Sequence, residues 1–172
     1  IPVNSKDKRF TTPESSSSPH DPFNLTSIDY SGGTMAMQYI LSVKHGYEYS
    51  ESEIMSLLLT YGETESIIER RGFSLLDMKR VFEHHGINAG GFKLTEPYFD
   101  GETLTELQSD TPFLMALNIF GYNAYTVVTE VSSTYFIFVH PALGYVKISI
   151  EDIENLEFTD DGLLIILISD IP

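Results

Sequence analysis

Arg70-Arg71-Gly72-Phe73-Ser74-Leu75-Leu76-Asp77-Met78-Lys79-Arg80 is the stretch on which the reading of the fold turns. Ser74 with Asp77 three residues on marks the start of a helix. The serine hydroxyl takes up a free backbone N–H, and the carboxylate sits at the positive end of the helix dipole. Leu75, Leu76, Met78, Val81 and Phe82 then supply an apolar side, and Gly86 closes the helix. Working back toward the N-terminus, the same period recurs. From Thr34, residues Met35, Met37, Ile40, Leu41 and Val43 lie mostly on one side, with Gly46 as a C-terminal cap. Ser50-Glu51-Ser52-Glu53 is a capping box before Ile54, Leu57, Leu58 and Leu59. Gly62 ends that helix, and a short one through Ile67 and Ile68 follows.

Working forward, the period changes. Phe113 to Ile119 is a continuous apolar run of strand length. Tyr125 to Val131, Tyr135 to Val139, Tyr145 to Ile150 and Leu163 to Ile168 follow, separated by turns at Ser132-Ser133 and Ala142-Leu143-Gly144. A short helix fits Glu151 to Asn155, and there is no internal repeat. Helices followed by an antiparallel sheet define an α+β fold.

Bulk composition narrows the function. The chain has 172 residues with 42% hydrophobic content, enough for one domain with a real core. Ten Lys and Arg against 25 Asp and Glu give a net charge of −15. That balance repels phosphate backbones and anionic lipid, which argues against nucleic-acid and membrane-surface partners and suits a neutral or basic one. With no cysteine, disulfides, thiolate metal sites and a Cys nucleophile are excluded. No apolar run is long enough for a membrane span. Residues 1–24, with Ser15-Ser16-Ser17-Ser18-Pro19, read as a flexible arm, and 25–172 as the domain. The start at Ile1 is read as a processed end, with a removed signal peptide.

Other candidate sites are weaker. His84 and His85 diverge by about 100° on a helix and do not chelate together, so they read as a solvated helix end. Glu63-Thr64-Glu65 and Asp160-Asp161 lack the spacing of a calcium loop. Gly32-Gly33 and Gly90-Gly91 are not followed by the Lys-Ser/Thr of a phosphate loop. No metal or cofactor is expected.

Two further segments complete a pattern. Asp29-Tyr30-Ser31-Gly32-Gly33 precedes the first long helix, and His140-Pro141-Ala142-Leu143-Gly144 joins two strands. Between them lies Asn123-Ala124-Tyr125-Thr126-Val127-Val128-Thr129. With the Arg70 to Arg80 stretch, and in this order, these segments resemble the bacterial double-glycine peptidases of the C39 family, above all its stand-alone members. The resemblance covers roughly Asp29 to Leu167. It implies a papain-like fold, a helical first half packed on an antiparallel sheet.

The resemblance also implies where chemistry belongs. The family's nucleophile is a Cys in a Ser-Cys-Gly turn, where a helix N-terminus depresses the thiol pKa; Gly32 stands there. The base is a His before a Val-rich strand, and Ala124 stands there. The orienting acid opens an Asp-Pro-Ala-Leu-Gly turn, and His140 stands there. The oxyanion Gln matches the region of Leu25-Thr26-Ser27, and the nearest Gln, Gln38, lies inside the helix. The expectation from these four losses is a catalytically inactive pseudopeptidase, not an enzyme. Its groove would bind an unfolded or extended polypeptide through Tyr30, Ser31, Gly32, Gly33, Tyr122, Asn123, Ala124 and His140. The implied role is a periplasmic or cell-surface accessory or chaperone in bacterial secretion or functional-amyloid export. Its partners would be a secreted or amyloid-forming polypeptide and an export-complex protein. The alternatives are a hydrolase with the displaced nucleophile Ser31 and a purely structural export subunit.

Overall fold

The structure is a computed structural model that describes residues 8–9, 30–70, 72–94, 98–119, 122–155 and 164–172. Four helices come first: α1 (Tyr30–Val43), α2 (Glu51–Tyr61), α3 (Thr64–Arg70) and α4 (Leu75–His84). Among the described residues seven strands form one antiparallel sheet. They are β1 (Lys8–Arg9), β2 (Ala89–Leu94), β3 (Phe113–Ile119), β4 (Tyr122–Val131), β5 (Tyr135–His140), β6 (Gly144–Ser149) and β7 (Leu164–Ser169), in the order β1-β2-β7-β3-β4-β5-β6. Two more helices, α5 (Gly101–Asp110) and α6 (Ile150–Glu154), lie among the strands. Of the segment read as a flexible arm, Lys8 and Arg9 pair with Lys93 and Phe92 at the sheet edge. The rest of residues 1–24 lies outside the described residues.

The sheet has a core on each face because its central strands are apolar on both sides. On one face Leu114, Ala116, Tyr125, Val127, Ile165 and Leu167 meet Met37, Ile40 and Leu41 of α1, Leu58 of α2 and Met78 of α4. On the other, Phe113, Met115, Leu117, Val128, Ile166 and Ile168 meet Leu107 of α5 and Ile153 of α6. Each fully buried Leu, Ile or Phe contributes about 1.5–3 kcal/mol relative to exposure.

The helix ends follow their sequence signals. Ser50 accepts the Glu53 N–H at 3.2 Å. At Gly46 the φ is +76°, and Tyr47 N–H closes back on the Leu41 carbonyl at 2.9 Å. That left-handed turn favours glycine. The C-terminus of α1 is then tied to the sheet. Lys44 Nζ donates to the Asp110 and Ser169 carbonyls at 2.9 Å each, and His45 Nε2 lies 2.8 Å from Ser169 Oγ. Burial lowers the Lys44 pKa, with the charges of Asp110 and Asp170 acting the other way.

Besides β1, two elements differ from the sequence reading. β2 was not expected because Gly90-Gly91 reads as punctuation, yet both glycines pair with Ile168 and Leu167. α5 was not expected either. Its start is capped by Asp100, whose Oδ1 accepts the Thr103 N–H at 2.8 Å. Its interior carries only a sparse apolar side, with Thr103 and Leu107 buried.

Candidate functional site

The four-residue start of α1 holds Tyr30, Ser31, Gly32 and Gly33. The sequence reading began the helix at Thr34, so the structure draws the glycine pair into the first turn. The reason is packing. A Cβ on Gly33 would lie 2.9 Å from Phe73 Cδ2 and 3.2 Å from Met78 Cε, so any side chain here must displace its neighbours before this turn can settle on α4's approach.

Phe73 connects this turn to the sheet. Its side chain is fully buried, and its carbonyl accepts the Tyr125 hydroxyl at 3.0 Å. Tyr125 follows Ala124 on β4. The Arg70 to Arg80 stretch is therefore the buttress that sets α1's first turn against the start of β4. Asp77 holds the buttress. Its Oδ2 accepts from Ser74 N–H at 2.8 Å and Ser74 Oγ at 3.0 Å, and its Oδ1 accepts from Glu63 N–H at 2.9 Å. Ser74 Oγ in turn accepts the Asp77 N–H at 3.2 Å, which completes the capping box.

Tyr122, Asn123 and Ala124 open β4, and His140 closes β5. The two strands are antiparallel neighbours with Val127 opposite Val139. Continuing that ladder by one pair sets His140 across from Thr126. Ala124 lies one step diagonally beyond, on the same face. That face carries Leu117, Val128, Phe136 and Phe138, whereas α1 packs on the face of Tyr125 and Val127. Ala124 and His140 are thus diagonal neighbours on one face of the sheet, whereas Tyr30, Ser31, Gly32 and Gly33 belong to α1, which packs on the other.

His140 is 7% exposed. Its Nδ1 accepts the Ala142 and Leu143 N–H groups at 3.0 and 3.2 Å, and Gly144 closes the turn at φ +75°. A nitrogen that accepts two N–H groups carries no proton, so the neutral ring holds its hydrogen on Nε2. That atom is buried without a hydrogen-bond partner. Burial lowers the His140 pKa. The His140 side chain thus closes the turn that joins β5 to β6.

The sign of the pH effect follows. A histidine with a folded-state pKa below its unfolded value contributes stability above about pH 6.5 and loses it as pH falls. In His140→Asn the side-chain oxygen still accepts from the turn without titrating at that position. The stability advantage of wild type over His140→Asn is therefore expected to shrink from pH 7 to pH 5 in urea unfolding. A constant difference would refute the buried neutral ring.

Other candidates have structural work. Gln38 Nε2 donates to the Tyr49 carbonyl at 2.9 Å. Leu25-Thr26-Ser27 lies outside the described residues. His84 and His85 are packed rather than simply solvated. His84 stacks on Tyr61 with centroids 3.8 Å apart, and His85 bonds the Tyr49 hydroxyl at 2.7 Å and the Val81 carbonyl at 2.8 Å.

This arrangement is that of a papain-like peptidase domain, and comparison with known proteins gives the family. The Peptidase C39 family matches residues 26–169, and the chain belongs to that family. A probable functional amyloid protease, FapD, of Pseudomonas aeruginosa is 27% identical over 124 residues. The protein of the same name from Pseudomonas fluorescens is also 27% identical over 124 residues. Each match covers 72% of this chain and 51% of the relative, so the chain spans about half the length of the curated relatives it matches. Among solved structures, a double glycine motif protease from an AMS/PCAT transporter, in complex with the leader peptide, gives a TM-score of 0.55 at 16% identity. That match covers 81% of this chain and 84% of that one. The peptidase domain of Streptococcus ComA gives 0.53 at 17% identity, covering 81% and 91%. These likenesses support the papain-like α+β fold.

The comparisons correct the expectation that the chain is no enzyme. Its family is a peptidase family and its relatives carry protease names, which points toward protease activity. The physical reason is one of scope. A missing Cys excludes a thiolate mechanism and leaves other nucleophiles, Ser31 among them, on the same turn.

Proposed function

We propose that this C39-family chain recognises an extended segment of a secreted, amyloid-forming polypeptide during bacterial functional-amyloid export, at the sheet end where α1 begins. What supports this reading is the likeness to functional amyloid proteases, together with Phe73, which abuts Gly33 of α1 and accepts from Tyr125 next to Ala124 on β4. Gly32 has no side chain to keep a peptide backbone at a distance. Extended segments dock through main-chain hydrogen bonds, with side chains in shallow pockets. The net charge of −15 favours neutral or basic cargo. In this proposal the chain acts as an accessory or chaperone in the periplasm or at the cell surface. Affinity is expected near micromolar, because the segment is ordered on binding.

The test is an NMR titration with an isotopically labelled, unfolded amyloid-forming polypeptide. Gly32→Trp, which fills the space at the turn, should weaken binding at least tenfold while the folded spectrum persists. Equal shifts in both proteins, or none in either, would leave only a structural role in an export complex.

A second reading, hydrolysis of the same segment, is favoured by the protease names of the relatives. Ser31 then supplies the nucleophile. His140 enters only as a hydrogen-bond donor through Nε2–H, since its Nδ1 is taken by the turn, and the Ser31 hydroxyl proton passes to the departing amine as the peptide bond breaks. Cleavage that disappears in Ser31→Ala would support this reading.

A further inference from the structure

β6 is the last strand of the sheet, and among the described residues it pairs only with β5. Which of its main-chain groups face outward follows from one hydrogen bond. Ile150 N–H donates to the Thr134 carbonyl at 3.0 Å, which makes Thr134 and Ile150 a bonded pair in register with the ladder. Bonded and non-bonded pairs alternate in an antiparallel sheet. Ile148, Val146 and Gly144 therefore turn their N–H and C=O toward β5. Tyr145 and Lys147 turn theirs away, to the free edge.

Natural sheets shield such edges with proline, bulges or a projecting lysine. β6 has no proline, and its register with β5 is unbroken. Its one lysine lies back over the sheet, with Lys147 Nζ 4.2 Å from the centroid of the Tyr135 ring on β5. The side chains around the edge are apolar and exposed, Tyr145 at 71% and Leu143 at 55%. Tyr145 also hydrogen-bonds Tyr39 of α1, whose pKa is raised by burial first and by Tyr145 second. Moreover, β6 grows directly out of the turn that His140 closes, since His140 and Gly144 are its first pair with β5.

We propose that the free edge of β6 receives the extended polypeptide as an added strand, bonded to the outward main-chain groups of Tyr145 and Lys147. This rests on the polypeptide-recognition reading above and names how the segment is held. A row of N–H and C=O groups is matched by another strand and by little else. The occupant is an uncharged or basic strand rather than a second copy of this chain, because two chains of charge −15 repel.

The probe is a synthetic uncharged peptide of alternating Thr, Val and Asn, about ten residues long, enough to span an ordinary strand. Amide hydrogen exchange is followed residue by residue. On binding, the Tyr145 and Lys147 amides should slow at least tenfold, while Val146, already bonded to β5, changes little. Lys147→Pro removes one outward N–H and no bond to β5, a place where an edge strand tolerates proline. It should bind the peptide at least tenfold more weakly than Lys147→Ala, which keeps the N–H. Wild-type protein that binds the peptide without slowing these two amides, and Lys147→Pro that binds as Lys147→Ala does, would overturn the edge proposal and leave the recognition reading standing. Wild-type protein that binds no extended peptide would remove both. Slowing of the same amides with protein concentration alone would assign the edge to a second copy and overturn the stated occupant.

Discussion

Replacing Asp77 by Ala should lower the unfolding free energy by about 3–5 kcal/mol, a large part of the 5–15 kcal/mol that holds an ordinary domain together. The carboxylate is fully buried and accepts from two backbone N–H groups, those of Ser74 and Glu63, and from the Ser74 hydroxyl. Removing it strands the Ser74 donors in a buried site and the Glu63 N–H in a part-buried one, and each stranded donor costs about 1–3 kcal/mol, less where water reaches it. Crowding adds to the sensitivity. A Cβ on Gly62 would sit 2.6 Å from Asp77 Oδ1, so backbone and carboxylate are fitted tightly with no slack for a replacement. Ser74→Ala should cost about 1 kcal/mol, as cap losses do. The double variant should cost less than the sum, because both side chains serve the same cap. Urea unfolding monitored by circular dichroism gives all of these values. A loss under about 1 kcal/mol for Asp77→Ala would mean that the junction of α3 and α4 is not held in this way.

The Asp77 network also shows how much of the fold was legible in the sequence. Ser74 and Asp77 were readable as a cap from spacing alone, since both sides of the capping box are local. The bond from Glu63 N–H to Asp77 joins residues 14 apart and has no local signature. The same divide runs through the sheet. Phe113 to Ile119 reads as a strand because it is continuously apolar, and it is buried on both faces. Ala89 to Leu94 does not, because its two glycines lower strand propensity while pairing with β7 supplies the order.

At the candidate site, motif order singled out Gly32, Ala124 and His140, and the structure places them at the start of α1, the start of β4 and the end of β5. It did not give the roles. The sequence shows a titratable His140; only the geometry shows Nδ1 committed to Ala142 and Leu143. Nor does the sequence show that Phe73, inside the most recognisable motif, touches both Gly33 and Tyr125. The step from absent catalytic groups to absent activity was the one that failed, since residue loss constrains a mechanism more tightly than it constrains a function.

Gly33→Val should cost about 2–3 kcal/mol and weaken polypeptide binding at least tenfold, a joint effect set by the same contact. The first carbon of any side chain at Gly33 would meet the Phe73 ring at 2.9 Å, closer than carbon atoms approach in packed interiors. Met78 Cε, at 3.2 Å, is the end of a flexible chain and can yield. Phe73 cannot yield so easily, being fully buried with its carbonyl bonded to Tyr125. The strain therefore passes to α1, whose first turn moves off β4 and opens the junction where the polypeptide is proposed to dock. Helix propensity works the other way, since Ala is about 1 kcal/mol better than Gly within a helix. Gly33→Ala should then be destabilising by less than Gly33→Val, or close to neutral. A compensating change separates this account from a general intolerance of the position. Phe73→Leu alone should destabilise by opening a void, as large-to-small core changes do. Combined with Gly33→Ala, it gives the new methyl group room, so the pair should cost less than the sum by about 0.5–1.5 kcal/mol. Strict additivity, or full binding retained in Gly33→Val, would show that the glycine serves something other than the contact between α1 and Phe73.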